Sequence, residues 1–215
     1  MAELQIGRIV LGSCATNCYY IHKEGKTETV VIDPADRGTY IYEKIKEKGL
    51  SVTAILLTHG HFDHILGVKE LQAATGAKTY LLKEEVPLSS DPEKNLSGWT
   101  GTQVSLVPDV EVSDGEELTL AGITFKVLAT PGHTDGSCCY YLKEDGVVFC
   151  GDTVFLESVG RTDFPTGSGS KLLNSVREKI FTLPDDVKLY PGHGDATSVE
   201  HEKTVSYTHL TLPTT

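Results

Sequence analysis

Between positions 58 and 64 the chain reads Thr58-His59-Gly60-His61-Phe62-Asp63-His64, directly after the apolar run Ile55-Leu56-Leu57. Three further apolar runs end in residues of the same kind. Phe125-Lys126-Val127-Leu128 leads into Thr130-Pro131-Gly132-His133, Val147-Val148-Phe149-Cys150 into Gly151-Asp152, and Lys188-Leu189-Tyr190 into Pro191-Gly192-His193. Neutral imidazole suits zinc and iron, and a carboxylate can bridge two cations while offsetting part of their charge. In an extended turn His59 and His61 project to the same side, and Asp63 and His64 can turn toward a second ion as a helix begins. Gly60, Gly132, Gly151 and Gly192 let backbone approach without a clashing Cβ. Two cations about 3.5–4 Å apart would hold a hydroxide between them, formed near neutral pH.

Each piece alone has an ordinary explanation. Asp63 would serve as a helix N-cap, the Pro-Gly steps as turns, and His22, His201 and His209 as surface residues. The combination is what points to a metal: His-x-His-x-Asp-His, two Pro-Gly-His turns and a Gly-Asp, each behind an apolar run.

Four strand ends must meet for this set to assemble, and in layered α/β proteins ligands collect beyond the carboxyl ends of the strands. Strand signals fall at Leu4–Leu11, Asn17–His22, Thr29–Asp33, Val52–Leu57, Leu118–Leu120, Ile123–Ala129, Ser137–Leu142, Val147–Cys150 and Val187–Tyr190. Helical spacing appears at Tyr40–Lys48, from His64 to Thr75, and over Ser168–Phe181, where Leu172, Val176 and Ile180 recur every four residues. Pro87–Gln103, with the single tryptophan Trp99, has little periodicity and reads as a surface loop or a lid. No repeat or linker interrupts the chain, so residues 1–204 read as one domain. From Thr204 to Thr215 there is no formal charge and five of twelve residues are threonine, which suggests a thin strand or a frayed, functionless end.

Composition narrows the function classes. Nineteen Lys and Arg against thirty Asp and Glu give a net charge of −11, unsuited to nucleic acid or an anionic membrane surface. No apolar run approaches the roughly 20 residues that span a bilayer. The start, Met1-Ala2-Glu3-Leu4-Gln5, lacks the basic and apolar regions of a signal peptide, so a cytoplasmic protein is expected. Five cysteines, an odd count, fit reduced thiols. Cys14 and Cys18 are spaced like half a zinc site, but no second thiol pair completes one.

The motifs His59-x-His61-x-Asp63-His64, His133, Asp152 and His193 resemble those of the metallo-β-lactamase-fold hydrolases. The closer likeness is to the small glyoxalase II-like (hydroxyacylglutathione hydrolase-like) branch. Thr130-Pro-Gly-His-Thr-Asp-Gly-Ser137, Gly160-Arg-Thr-Asp-Phe-Pro165 and Tyr190-Pro-Gly-His-Gly194 carry it, and it extends from about Ile6 to Lys203. The resemblance implies a four-layer αββα sandwich of two mixed sheets with outer helices. It implies two divalent ions, zinc first with iron or manganese as alternatives. His59, His61 and His133 would hold one ion, Asp63, His64 and His193 the other, and Asp152 would bridge them. Asp63 would also orient the attacking hydroxide. The implied substrate is a small acyl compound, a thioester first, with no nucleic-acid or membrane partner; nothing in the sequence sets an oligomeric state.

Two departures stand out. Glutathione-specific members carry an additional C-terminal helical region, which this chain does not reach, and Val205–Thr215 differs from the branch's usual ending as if it were foreign coding sequence. Arg161 is a candidate clamp for a substrate carboxylate or phosphate, or a structural partner of Asp163. A rival reading, also carried by Thr134-Asp135-Gly136 and Arg161-Thr-Asp-Phe164, is a persulfide dioxygenase-like enzyme with one iron. A nuclease on the same fold is disfavoured by the charge, and a non-catalytic binding module by the complete ligand set.

Overall fold

A computed structural model describes residues 2–209, with side chains as far as Val205. The first sheet holds β1 (Leu4–Leu11), β2 (Thr16–Lys23), β3 (Glu28–Ile32), β4 (Ser51–Leu56), β5 (Lys78–Leu82) and β6 (Val110–Val112), side by side in that order. β1 to β3 pair antiparallel and β3 to β6 parallel. The second sheet contains β7 (Glu117–Leu120), β8 (Ile123–Ala129), β9 (Cys138–Leu142) and β10 (Val147–Gly151). A hairpin of β11 (Val154–Phe155) and β12 (Ser158–Val159) follows, and β13 (Lys188–Pro191) and β14 (Thr197–Ser198) return to that sheet. Its order is β14-β13-β10-β9-β8-β7, with β10 and β13 parallel and the other pairs antiparallel.

Side-chain alternation explains why the two sheets stack. Val30 and Ile32 of β3 join Phe125, Val127, Tyr140 and Phe149 of the second sheet in one buried cluster. Val31, between them, faces the other way and packs with Ile41, Ile45, Val68 and Leu71 from the helices α1 (Gly38–Lys46) and α3 (Val68–Thr75). Across the second sheet, Val148 and Leu189 pack against Leu128, Val176, Ile180 and Val199. Strands covered on both faces read as continuous apolar runs, and that is how these appear in the sequence. The result is the expected α/β architecture of two mixed sheets with helices outside.

Some elements differ from the sequence expectation. The helix anticipated from His64 to Thr75 is broken into α2 (Phe62–Ile65) and α3. The break is at Gly67, whose N–H donates to the Pro34 carbonyl at 2.9 Å and where a Cβ would meet that oxygen at 2.6 Å. Strands β5 and β6 carry little signal of their own and are recruited by parallel pairing, β5 to β4 and β6 to β5. Within 87–103 the backbone is pinned, since Asn95 and Ser97 are fully buried. Only a short helix, α4 (Val86–Ser89), and a single 3₁₀ turn at Ser97–Trp99 are regular there. A seven-residue helix, α5 (Gly169–Ser175), continues into a π-helical turn at Val176–Ile180. The chain from Val199 to His209 is helix α6, so the threonine-rich end begins as helix rather than strand. Residues 210–215 lie outside the described residues. No helix among the described residues is long and apolar enough to cross a membrane.

Candidate metal centre

The carboxyl ends of β4, β8, β10 and β13 open onto one edge between the sheets, because β8 and β10 flank antiparallel β9 and β13 runs parallel to β10. All seven residues singled out by the sequence meet there. Their candidate ligand atoms fall into three groups, each within 4.8 Å: His59, His61 and His133; His59, His64 and Asp152; Asp63, His64 and His193. Asp152 stands between them, 3.4 Å from His64 Nε2 and His193 Nε2 and 3.5 Å from His133 Nε2. Asp63 Oδ2 lies 3.3 Å from His193 Nε2 and 3.6 Å from His64 Nε2. His61, in extended conformation, occupies the N-cap of α2, so Asp63 falls in the first turn and points inward with His64. Gly192 is required by crowding: a Cβ there would collide with Asp152 Oδ1 and His64 Cε1.

For four of the five rings the far side fixes what the near side offers. His64 Nδ1–H donates to Asp33 Oδ2 at 2.9 Å, His133 Nδ1–H to the Arg161 carbonyl at 2.7 Å, and His193 Nδ1–H to the Cys14 carbonyl at 3.1 Å. Thr58 Oγ1 donates to Asp33 at 2.6 Å and accepts from His59 Nδ1 at 3.2 Å. His64, His133 and His193 thereby turn Nε2 toward the centre, where His64 Nε2 meets His193 Nε2 at 3.4 Å and His61 Nδ1 is hydrogen-bonded to His133 Nε2 at 2.9 Å. His59 Nε2, His61 Nε2 and Asp152 Oδ1 are buried without a hydrogen-bond partner, a costly state that coordination relieves. Five imidazoles and two carboxylates form a donor set of the kind that divalent zinc or iron takes. The cluster and the fold together indicate a divalent metal site.

The charges divide the centre. Burial, reinforced by the neighbouring imidazoles, holds His59 well below its usual range and takes His61 to about 3. Burial also lowers His133. Burial works against a charge on His64 too, yet Asp63, Asp152 and Asp33 outweigh it and hold that ring well above the ordinary value. His193 is raised to about 9 by Asp152 and Asp63 despite its burial. Against burial, His64 and His193 pull Asp63 down to about 2, and His64 holds Asp152 low.

Three supporting residues escaped the sequence reading. Asp33, at the end of β3, accepts from His64, Thr58 N and Thr58 Oγ1. Its signal was present, since Val30-Val31-Ile32-Asp33 is another apolar run ending in a ligand-type residue. Thr16 Oγ1 donates to Asp63 Oδ2 at 2.8 Å. Glu85 is fully buried; its Oε1 accepts from Gly60 N at 2.8 Å, and its Oε2 from Thr134 Oγ1 and Gly136 N at 2.9 Å each. It ties the His59–His61 loop to the His133 turn. Desolvation raises it to about 7 although three donors oppose the shift.

Above the centre opens a cavity of about 430 Å³ that includes His61, Asp63, His133, Asp152 and His193. Of the two roles set out for Arg161, the structure shows the ion pair: Nε and Nη2 each donate to Asp163 at 2.7 Å, so the fork is occupied. Arg161 still lines the cavity, as does Leu96 from the 87–103 segment. All five cysteines are free thiols, and Cys14 alone is exposed.

Residues 11–193 match the sequence profile of the metallo-beta-lactamase superfamily. The chain is 36% identical over 198 residues to the probable metallo-hydrolase YqgX of Bacillus subtilis, covering 91% of this chain and 93% of that protein. It is 34% identical over 190 residues to the hydroxyacylglutathione hydrolase GloC of Haemophilus influenzae, covering 87% and 89%. Among solved structures it is similar to the BLEG-1 B3 metallo-beta-lactamase, with a TM-score of 0.88, 35% identity and coverage of 93% and 97%. It is also similar to TTHA1623 in a di-iron-bound form, with a TM-score of 0.82, 31% identity and coverage of 93% and 98%.

Proposed function

This chain belongs to the metallo-beta-lactamase superfamily, and from that premise we propose that it is a metal-dependent hydrolase of thioesters and similarly activated small acyl compounds. The observation that carries the reading is the convergence of five imidazoles on Asp63 and Asp152 at the floor of an open cavity. His59, His61 and His133 would hold one divalent ion, Asp63, His64 and His193 a second, and Asp152 both. When bound, the ions (zinc, with iron or manganese as alternatives) supply Lewis acidity toward an acyl oxygen and an ionised water near neutral pH. The likeness to the GloC relative supports a thioester over other acyl compounds. That relative is itself covered over 89% of its length, so chain length gives no ground against a glutathione thioester.

The protein's own groups supply position. Thr16 holds Asp63 so that its carboxylate can accept a hydrogen from the attacking water and aim the oxygen at the acyl carbon. The water oxygen bonds to that carbon and gives up a proton to solvent, the carbon–sulfur bond breaks with its electron pair going to sulfur, and the thiolate takes a proton from solvent. A thiol pKa near 8.5 makes this departure possible without a strong general acid. Asp33 and the Arg161 and Cys14 carbonyls keep His64, His133 and His193 in fixed orientations throughout. In this reading residues 1–204 form one catalytic unit that works in the cytoplasm on a small molecule, without nucleic-acid or membrane partners.

The test is metal content of the purified protein, then hydrolysis of S-D-lactoylglutathione beside simpler thioesters, with oxygen uptake measured on a glutathione persulfide. Two ions with thiol release and no oxygen uptake support the proposal. One iron with stoichiometric oxygen consumption overturns it in favour of the dioxygenase-like reading.

A further inference from the structure

The cavity above the metal centre is walled by apolar side chains from four separate stretches of chain. Phe62 comes from α2, Leu96 from the 87–103 segment, Phe155 and Val159 from the β11–β12 hairpin, and Phe164 from the Gly160–Pro165 turn. Two of these rings flank the candidate ligands edge-on: Phe164 lies 5.8 Å from His61, and Phe155 lies 5.9 Å from His193. The apolar surface also continues outward. Trp99, 67% exposed, packs 6.5 Å from Phe164, and exposed Leu156 follows Phe155 in the hairpin. Large exposed apolar groups are few here, and two of them border this opening.

Among the described residues, Arg161 is the one Lys or Arg side chain that lines the cavity. Asp163 takes both arms of its fork at 2.7 Å, and the guanidinium lies over the Phe164 ring, 3.8 Å from its centroid. A substrate carboxylate entering the cavity would give up water and find the Nε–Nη2 edge of Arg161 taken, with the Asp163 charge beside it, whereas each buried methylene gains free energy.

Resting on the thioester-hydrolase reading, we propose that the cavity selects apolar, uncharged acyl groups, and that Asp163 is a specificity-determining residue that disfavours carboxylated ones by taking the Nε–Nη2 edge of Arg161 and setting a negative charge beside it. Both residues of the pair are exposed, so the discrimination that Asp163 supplies is a factor of a few rather than of hundreds.

The experiment uses the metal-bound enzyme and N-acetylcysteamine thioesters of acetyl, butanoyl, hexanoyl and glutaryl groups, with thiol release as the readout. In the wild type, kcat/KM is expected to rise about two- to fourfold per added methylene until the cavity is filled. The glutaryl thioester should fall about tenfold or more below the hexanoyl one. Asp163→Asn removes the negative charge and one of the two acceptors on that edge, and should raise the glutaryl-to-hexanoyl ratio roughly two- to fivefold. Phe164→Ala should flatten the chain-length series. These are ratios within one protein sample, so partial unfolding of a variant does not move them. A flat series with acetyl turned over, a glutaryl thioester matching hexanoyl in the wild type, or an unchanged ratio in Asp163→Asn overturns this inference alone. Failure to hydrolyse any of the four overturns the hydrolase reading with it.

Discussion

His64 Nδ1 stands 2.9 Å from Asp33 Oδ2, and this contact decides which nitrogen of His64 faces the centre. Asp33 also accepts from Thr58 N at 2.8 Å and Thr58 Oγ1 at 2.6 Å, and through Thr58 it reaches His59. One buried carboxylate thus aligns two rings. Asp33→Ala should leave three buried donors without an acceptor and cost about 3–5 kcal/mol of stability. Metal affinity should fall about 10- to 100-fold, as when other outer partners of metal-binding histidines are removed. Competition with a chelating dye on the folded fraction checks the second effect, and Asp33→Asn, which keeps one oxygen, should fall in between. Unchanged affinity in Asp33→Ala would dismiss the alignment role.

Asp152 touches both sides of the centre, and Gly192 is the floor that lets it sit there. Asp152→Ala should release at least one ion and lower turnover by a factor of about 10³ or more. Gly192→Ala tests the same geometry from below. Its Cβ pushes on Asp152 Oδ1, so metal stoichiometry should drop while the fold survives with a cost of about 1–3 kcal/mol. Elemental analysis beside thermal unfolding separates the two effects. Two firmly held ions in Asp152→Ala would contradict the shared position of this carboxylate.

The seven clustered residues were legible because each follows an apolar run, and a run long enough to be a buried strand tells where its carboxyl end must lie. Asp33 obeyed the same rule and could have been read with them. Glu85 could not. Its neighbours Lys83 and Glu84 are exposed, and its burial arises from Gly60 and Gly136, the latter 51 positions away. The break between α2 and α3 was hidden for a similar reason, since Ile65, Val68 and Leu71 keep helical spacing while the carbonyl that stops the helix belongs to Pro34. Strands β5 and β6 take their conformation from pairing, and segments of five and three residues with a charge in each carry little pattern by themselves. The two roles of Arg161 were indistinguishable in sequence because both require the same guanidinium.

Thiol chemistry should single out Cys14. Burial raises all five thiols, with Asp63 adding to the effect at Cys14, but Cys18, Cys138, Cys139 and Cys150 are closed to reagent while Cys14 is exposed. A water-soluble aromatic disulfide reagent should therefore titrate one thiol per native chain, and all five only in denaturant. Because the Cys14 carbonyl holds His193 and its residue lines the cavity, bound metal or an inhibitor should slow that single reaction. Two or more fast thiols in the native protein would be inconsistent with this packing.

Glu85 gives the fold a dependence on pH whose sign follows from its burial. Its carboxyl is raised from an ordinary 4.5 to about 7 in the native protein, mainly by desolvation. Below about pH 4.5 the native and unfolded chains both hold the proton, and the group contributes no pH dependence. Between 4.5 and 7 the unfolded chain releases it while the native chain keeps it, so stability falls as pH rises. Above 7 both have lost it and the loss is complete, at about 3 kcal/mol by linkage. Glutamine has the shape of the protonated acid and cannot titrate. Urea unfolding of the wild type and Glu85→Gln, at equal metal loading, should show the variant gaining on the wild type by up to about that amount between pH 5 and pH 8. The opposing force is visible in the same site: three donors from Gly60, Thr134 and Gly136 favour the ionised form. Parallel curves for the two proteins would mean that those donors offset the desolvation, and that Glu85 stands ionised across the range.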